Sequence, residues 1–338
     1  MNEGVSVNRS ARYRLMFFSR LVITSALISL IAVRFDFEAI KSQLCSIGSI
    51  TILSAGMLLV VQILVLGYRW QRILGASGIA TPFLNALRIV LIGSFFNQCL
   101  PTSLGGDGVR AFMLRSAGVP LERAVNAVLV DRLSGLAGLL PFLILGAPFL
   151  LAWTYDPVFF LADLAITALF SAVLAGYFFG DLLIARIRPV AKLAPLRAVA
   201  AASVYAREIA YHSPQAIGTA GLAVVVHLTS IVLVVILAEG LRAPIAPGAA
   251  LVLVPPIIAA ALLPISYGGW GARELAMIVS LGLAGVPPTT ALAISITIGF
   301  LGLISTMPGA LLWLRAGSRE RSATRVDYPS ARRNGARD

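Results

Sequence analysis

Leu100-Pro101-Thr102-Ser103-Leu104-Gly105-Gly106-Asp107-Gly108-Val109-Arg110 recurs as Leu263-Pro264-Ile265-Ser266-Tyr267-Gly268-Gly269-Trp270-Gly271-Ala272-Arg273. The shared pattern L-P-x-S-x-G-G-x-G-x-R keeps seven of eleven positions at a constant offset of 163. A second match, Ala117-Gly118-Val119-Pro120 against Ala284-Gly285-Val286-Pro287, follows after four extra residues in the later copy. Each copy comes after an apolar arm and leads into a long apolar run. Two copies in that setting indicate an internal duplication, which a lone glycine-rich string would not.

The surrounding composition says which solvent the duplication occupies. Hydrophobic residues make up 58% of the 338 and charged residues only 12%, about half the usual share, which points to lipid. A bilayer core about 30 Å thick needs roughly 20 apolar residues per helical crossing. Residues 17–33, 47–67, 124–153, 158–180, 217–238 and 289–314 meet that need. The first is not read as a cleaved signal, because Arg34 and Phe35 follow it with no small-residue cleavage site. Regions 83–118 and 248–285 instead break at the duplicated turn and return through segments too short or too polar to face lipid. They read as re-entrant helical hairpins, whose irregular backbone survives at depth only where protein or water covers it.

The expected fold is therefore all-α: a polytopic integral membrane protein with about six transmembrane helices and two re-entrant hairpins, eight membrane segments in all. Residues 1–315 form one membrane domain, 181–213 a cytoplasmic amphipathic linker, and 316–338 a basic, disordered tail. Three crossings lie between the hairpins, an odd number, so the hairpins enter from opposite faces as an inverted repeat, an arrangement used by alternating-access transporters.

A net charge of +12 in a soluble chain would suggest nucleic acid, but placing the charges removes that reading. Assigned to sides, with Arg69 and Arg72 in a loop, the 27 Lys and Arg divide 23 to 4, with only Arg34, Lys41, Arg242 and Arg273 on the minority side. The positive-inside rule then makes both termini cytoplasmic, in a cytoplasmic (inner) membrane, with the basic segments resting on anionic inner-leaflet lipids. Cys45 and Cys99 make no disulfide framework or metal cluster, and His212 and His227 are the only histidines. No nucleophile stands at usable spacing from a base, and no P-loop, zinc motif or cofactor-binding turn occurs, so catalysis has little support.

The turns themselves suit an anion. Pro ends the first arm, Gly105, Gly106 and Gly108, with Gly268, Gly269 and Gly271, let backbone N–H groups approach a ligand, and the second arm opens with free N–H donors. Arg110 and Arg273, one turn into that arm, add a bidentate fork for phosphate or carboxylate. Ser103, Ser266 and Asn97 are further polar candidates. The alternative is tight packing of glycines with snorkelling arginines. Asp131 and Arg132 lie about 13 Å along a helix from the interfacial Glu122 and Arg123 and point too far apart to pair with each other. An Asp131 pair with Arg110 or Arg273 is either purely structural or a switch that releases the Arg. Asp107 and Glu274 place a carboxylate differently in each copy. His227 is either a proton relay or a packing residue.

Phe96 to Arg110, Val130-Asp131-Arg132 and Pro264 to Glu274 together resemble the transmembrane, flippase-like domain of lysylphosphatidylglycerol synthases, over about residues 15 to 315. The resemblance implies lipid translocation. Full synthases carry a soluble aminoacyl-transferase domain, whereas this chain runs only about two dozen residues past its last apolar run, so lysyl transfer is not implied. Stand-alone members of the family are associated with diverse lipids, including isoprenoid- or sterol-like lipids and lipid-linked sugars, and the expected cargo is a phosphate-headgroup lipid or an isoprenoid-linked or hopanoid-type lipid. A membrane partner that anchors or regulates a lipid- or glycan-modifying enzyme is the rival reading, and a membrane-embedded transferase is a third.

Overall fold

In the computed structural model the described residues are residue 29 and residues 37–100, 105–154, 157–186, 194–212, 214–263 and 270–315. Among them the chain is entirely helical: α1 (Phe37–Ser46), α2 (Ser49–Ala76), α3 (Phe83–Cys99), α4 (Gly105–Ser116), α5 (Leu121–Thr154), α6 (Pro157–Arg186), α7 (Ala194–His212), α8 (Pro214–Gly240), α9 (Pro247–Leu262), α10 (Ala272–Gly282) and α11 (Pro288–Arg315). Five of these, α2, α5, α6, α8 and α11, are long and apolar enough to cross a membrane. They correspond to five of the six apolar runs; the run 17–33, residue 29 apart, and the tail 316–338 lie outside the described residues.

Both hairpins are present as pairs of short helices, α3 with α4 and α9 with α10, and in each pair the arms pack on one another. At 17 and 12 residues, α3 and α4 are about 26 and 18 Å long, so neither is an ordinary full crossing.

The duplication is wider than the motif. Each half runs long helix, arm, arm, long helix: α2-α3-α4-α5 and α8-α9-α10-α11. The contacts repeat as well, because α11 lies against α3 as α5 lies against α9, and α2 packs along α8 at the junction of the halves. Gln62 of α2 donates there to the Val226 carbonyl at 3.0 Å and to the hydroxyls of Thr229 at 3.1 Å and Ser230 at 2.8 Å. There are two main apolar cores, one built on Trp70, Ile89, Leu114 and Ala124 of the first half, the other on Leu237, Leu253, Met277 and Ile294 of the second, joined by Leu59 of α2.

The second arms end alike. Gly118 (φ 93°) and Gly285 (φ 77°) take the left-handed conformation, and the next residue's N–H closes the cap, Val119 to the Leu114 carbonyl and Val286 to the Leu281 carbonyl. The helices that start each half also end alike, with one difference. Gly78 (φ 72°) closes α2, while Arg242 (φ 57°) stands at that position after α8. A side chain in this conformation costs about 1–2 kcal/mol, part of which glycine returns as unfolded-chain entropy. Arg242→Gly is accordingly expected to raise stability by about 1 kcal/mol, read as a higher melting temperature in detergent.

Two sequence expectations shift in detail. Arg69 is not in a loop: α2 continues past Gly67 to Ala76 and carries Arg69 buried, at 6% exposure. The linker contains α7, whose Ala202, Ser203, Ala206 and Ile209 are buried, and α7 packs chiefly on α6. Arg207 fastens the two helices through Asp181 and the Phe178 carbonyl.

Candidate functional site

The first hairpin closes through two glycines. A Cβ on Gly106 would sit 1.8 Å from the Gly93 carbonyl oxygen, so α3 and α4 touch backbone to backbone. A Cβ on Gly93 would in turn meet the Arg110 side chain at 2.7 Å. Asn97 is bound into this contact, its Oδ1 accepting the Gly106 N–H at 2.9 Å. Gly105 packs on Leu100, while Gly108 has open space around it.

This contact fixes where the arginine goes. α4 runs from Gly105, so Arg110 lies in its second turn. Arg110 is 7% exposed, with its guanidinium 3.8 Å above the Trp70 ring. Its Nη1 reaches Asp131 Oδ2 at 2.8 Å and Asp107 Oδ1 at 3.5 Å. Arg69 binds the other oxygen of Asp131, with Nε and Nη2 both 3.0 Å from Oδ1. Arg132 Nε donates to Asp107 Oδ2. Five groups from three helices, α2, α4 and α5, therefore alternate in sign: Arg69, Asp131, Arg110, Asp107, Arg132.

Three positive and two negative groups leave a formal +1 in a region screened little by solvent. The donors are not used up. Nε and Nη2 of Arg110 are buried with no hydrogen-bond partner among the described residues. All five charged groups line a cavity of about 220 Å³, together with Ser94, Asn97 and His227. His227 is held there by the Gly135 carbonyl, 2.8 Å from its Nε2.

The second hairpin keeps the arginine but places it differently. α10 begins only at Ala272, so Arg273 sits in the first turn, after Gly271 at φ 87°. Glu274 Oε2 accepts the Gly271 N–H, and Oε1 takes Arg273 Nη2 at 2.6 Å and Ser295 Oγ at 3.0 Å. Arg273 Nε also donates to Ser295 at 3.0 Å, and its guanidinium lies 4.8 Å from the Trp270 ring. Gly299 makes room, since a Cβ there would meet Arg273 Nη2 at 2.7 Å.

Continuing the register from Gly118 and Gly285 along the spans that follow, Ile298 and Gly299 occupy the positions of Asp131 and Arg132. The charges of the first half have no counterpart there, and among the described residues Arg273 is balanced by Glu274 alone. Asp131 thus pairs with Arg110 and Arg69, and Arg273 keeps to its own half. Ser103, Ser266, Gly268 and Gly269 lie outside the described residues.

Sequence reasoning did not select Arg69, Trp70, Gly93 or Ser295. For Arg69 a signal existed: it follows Leu66 by three residues and precedes Ile73 by four, so it shares the inward face of α2.

Taken together, the helices define a polytopic membrane protein built on a duplicated hairpin with a charged internal cavity. The family model of the lysylphosphatidylglycerol synthase TM region matches residues 17–309, and the chain belongs to that family. A comparison with curated proteins finds none that matches.

Proposed function

We propose that this protein moves a lipid with an anionic or zwitterionic phosphate headgroup between the leaflets of the cytoplasmic membrane, its termini on the cytoplasmic side. One observation carries the reading: Arg110, two of whose buried donor nitrogens have no hydrogen-bond partner among the described residues, lines a cavity whose fixed charges sum to +1. A phosphate oxygen there meets the fork of Arg110, and Asp107 and Asp131 hold the fork in place while the site is empty. Removing Arg69 from the loop tally leaves the excess of positive charge on the cytoplasmic side intact. A groove between α5 and α9, lined by Phe142, Leu145, Phe149, Leu251 and Val252, offers apolar surface to lipid chains, which stay in the bilayer.

The halves divide the work unequally in this reading. Hairpin one binds the headgroup; hairpin two, with Arg273 already held by Glu274 and Ser295, supplies the matching scaffold that moves against it. In proteoliposomes carrying a fluorescent phospholipid or a polyprenyl phosphate, Arg110→Ala is expected to slow translocation about tenfold or more, from the loss of a charged hydrogen bond of about 1.5–3 kcal/mol. The protein should still fold, because Arg69 keeps Asp131 and Arg132 keeps Asp107. Arg110→Lys should recover only part of the rate, since it restores the charge and not the fork. Transport by Arg110→Ala at the wild-type rate would sink the assignment.

A further inference from the structure

Asp163 stands apart from the arginine network. It lies on α6, about 9 Å along the helix from Pro157, and is 3% exposed. Both of its carboxyl oxygens are buried with no hydrogen-bond partner among the described residues, and so is the hydroxyl of Thr167 one turn further on. The same face of α6 continues through Ile166 and Phe170, which pack against Leu136, Leu139, Leu140 and Leu143 of α5.

Among the described residues no charge is at hand to balance it. Among the described elements, α6 packs chiefly against α5 and α7. From Leu133 to Thr154, α5 has no ionisable residue at all. The ionisable residues of α7 with described side chains are Arg197, Tyr205, Arg207 and Glu208. This helix meets α6 around Phe178, Gly180 and Asp181, about 22–27 Å along the axis from Asp163. On α6 itself the other ionisable groups, Tyr177, Asp181 and Arg186, lie at that far end, and Asp156 lies outside the described residues. Asp131 and Asp107, equally buried, each have arginines. An ionised carboxylate without partner or water is too costly to keep, and such a group neutralises instead.

We propose that Asp163 is a proton-binding site: it holds a proton while α6 lies against α5 and releases it when the two helices part and water reaches the carboxyl. The site is independent of the headgroup reading, because it depends only on the α5–α6 contact. It gives that contact a charge state, so a proton taken up from the end of α6 away from Asp181 and Arg207 favours the packed arrangement.

The test is infrared spectroscopy of the full chain reconstituted in lipid at neutral pH. Wild type minus Asp163→Asn should show the carbonyl band of a protonated carboxylic acid, shifted in heavy water. Wild type minus Asp181→Asn, whose carboxylate is held by Arg207 at the far end of α6, should lack it. Asp163→Glu, which keeps the acid if Asp163→Asn fails to fold, should retain a displaced band. Dicyclohexylcarbodiimide, an apolar reagent that attacks protonated carboxyls, reaches α6 from the lipid, where Ala162 and Leu164 are exposed. It should modify Asp163, and peptide mass analysis should find the modification gone in Asp163→Asn. Absence of the acid band from wild type would overturn the proposal, as would an acid band that persists unchanged in both Asp163→Asn and Asp163→Glu.

Discussion

Asp131→Ala is expected to leave little correctly folded protein. Asp131 accepts from Arg69 on one oxygen and Arg110 on the other, and all three side chains are at most 9% exposed. Removing the carboxylate strands two buried cations, and breaking one buried pair in this way already costs about 3–5 kcal/mol. Asp107 offsets part of the loss at Arg110, 3.5 Å away, but Arg69 has no other ion-pair partner among the described residues. Asp131→Asn keeps the shape and loses the charge, so it should fare nearly as badly. A double change, Arg69→Met with Asp131→Leu, should recover much of the loss, because replacing a buried pair by apolar groups is often neutral or stabilising. The measurement is thermal unfolding in detergent, followed by the monodisperse fraction on size exclusion. An Asp131→Ala protein that melts with wild type would mean that the network contributes nothing to the fold.

The glycines of the duplicated turn provide the second large effect, and they separate two reasons for a glycine that look the same in sequence. At Gly106 an added methyl would lie 1.8 Å from a backbone oxygen of α3, which cannot rotate away. Gly106→Ala must therefore push the arms of the hairpin apart and draw Asp107 and Arg110 off Asp131. Its cost is expected at or beyond the top of the usual range of about 1–3 kcal/mol for overpacking. Two positions on, a methyl added at Gly108 would have nothing within 4 Å of it, and the residue sits in regular helix, so Gly108→Ala should stabilise by about 0.5–1 kcal/mol. Melting temperatures that move in opposite directions for the two variants would confirm the close approach. Equal effects would refute it.

A good deal of this was legible beforehand. The solvent, the long helices, the two hairpins and the duplicated arginine all follow from apolar run lengths and one repeated string, because a bilayer fixes helix length and forbids unsatisfied backbone. The ionic partners were less legible. Asp131 and Arg132 read as charges at depth that need partners, and the sequence offers Arg110 or Arg273 as the partner of Asp131. Arg69 was hidden because an arginine following an apolar run looks the same whether it ends the helix in water or turns inward. Asp163 escaped because a single carboxylate near the start of a span reads as interfacial.

Sequence alone determined that this is a duplicated, all-helical membrane domain with the same arginine in each copy of the turn, since periodicity and repetition are properties of the chain. Only the tertiary structure decided that the copies are unlike in chemistry. α4 begins at Gly105 and α10 at Ala272, so equivalent arginines fall in different turns, and the helices packed around them differ. Arg110 meets two aspartates and a cavity, while Arg273 meets one glutamate, a serine and its own tryptophan. Charge balance at depth is set by neighbours from other helices, and no local pattern specifies those.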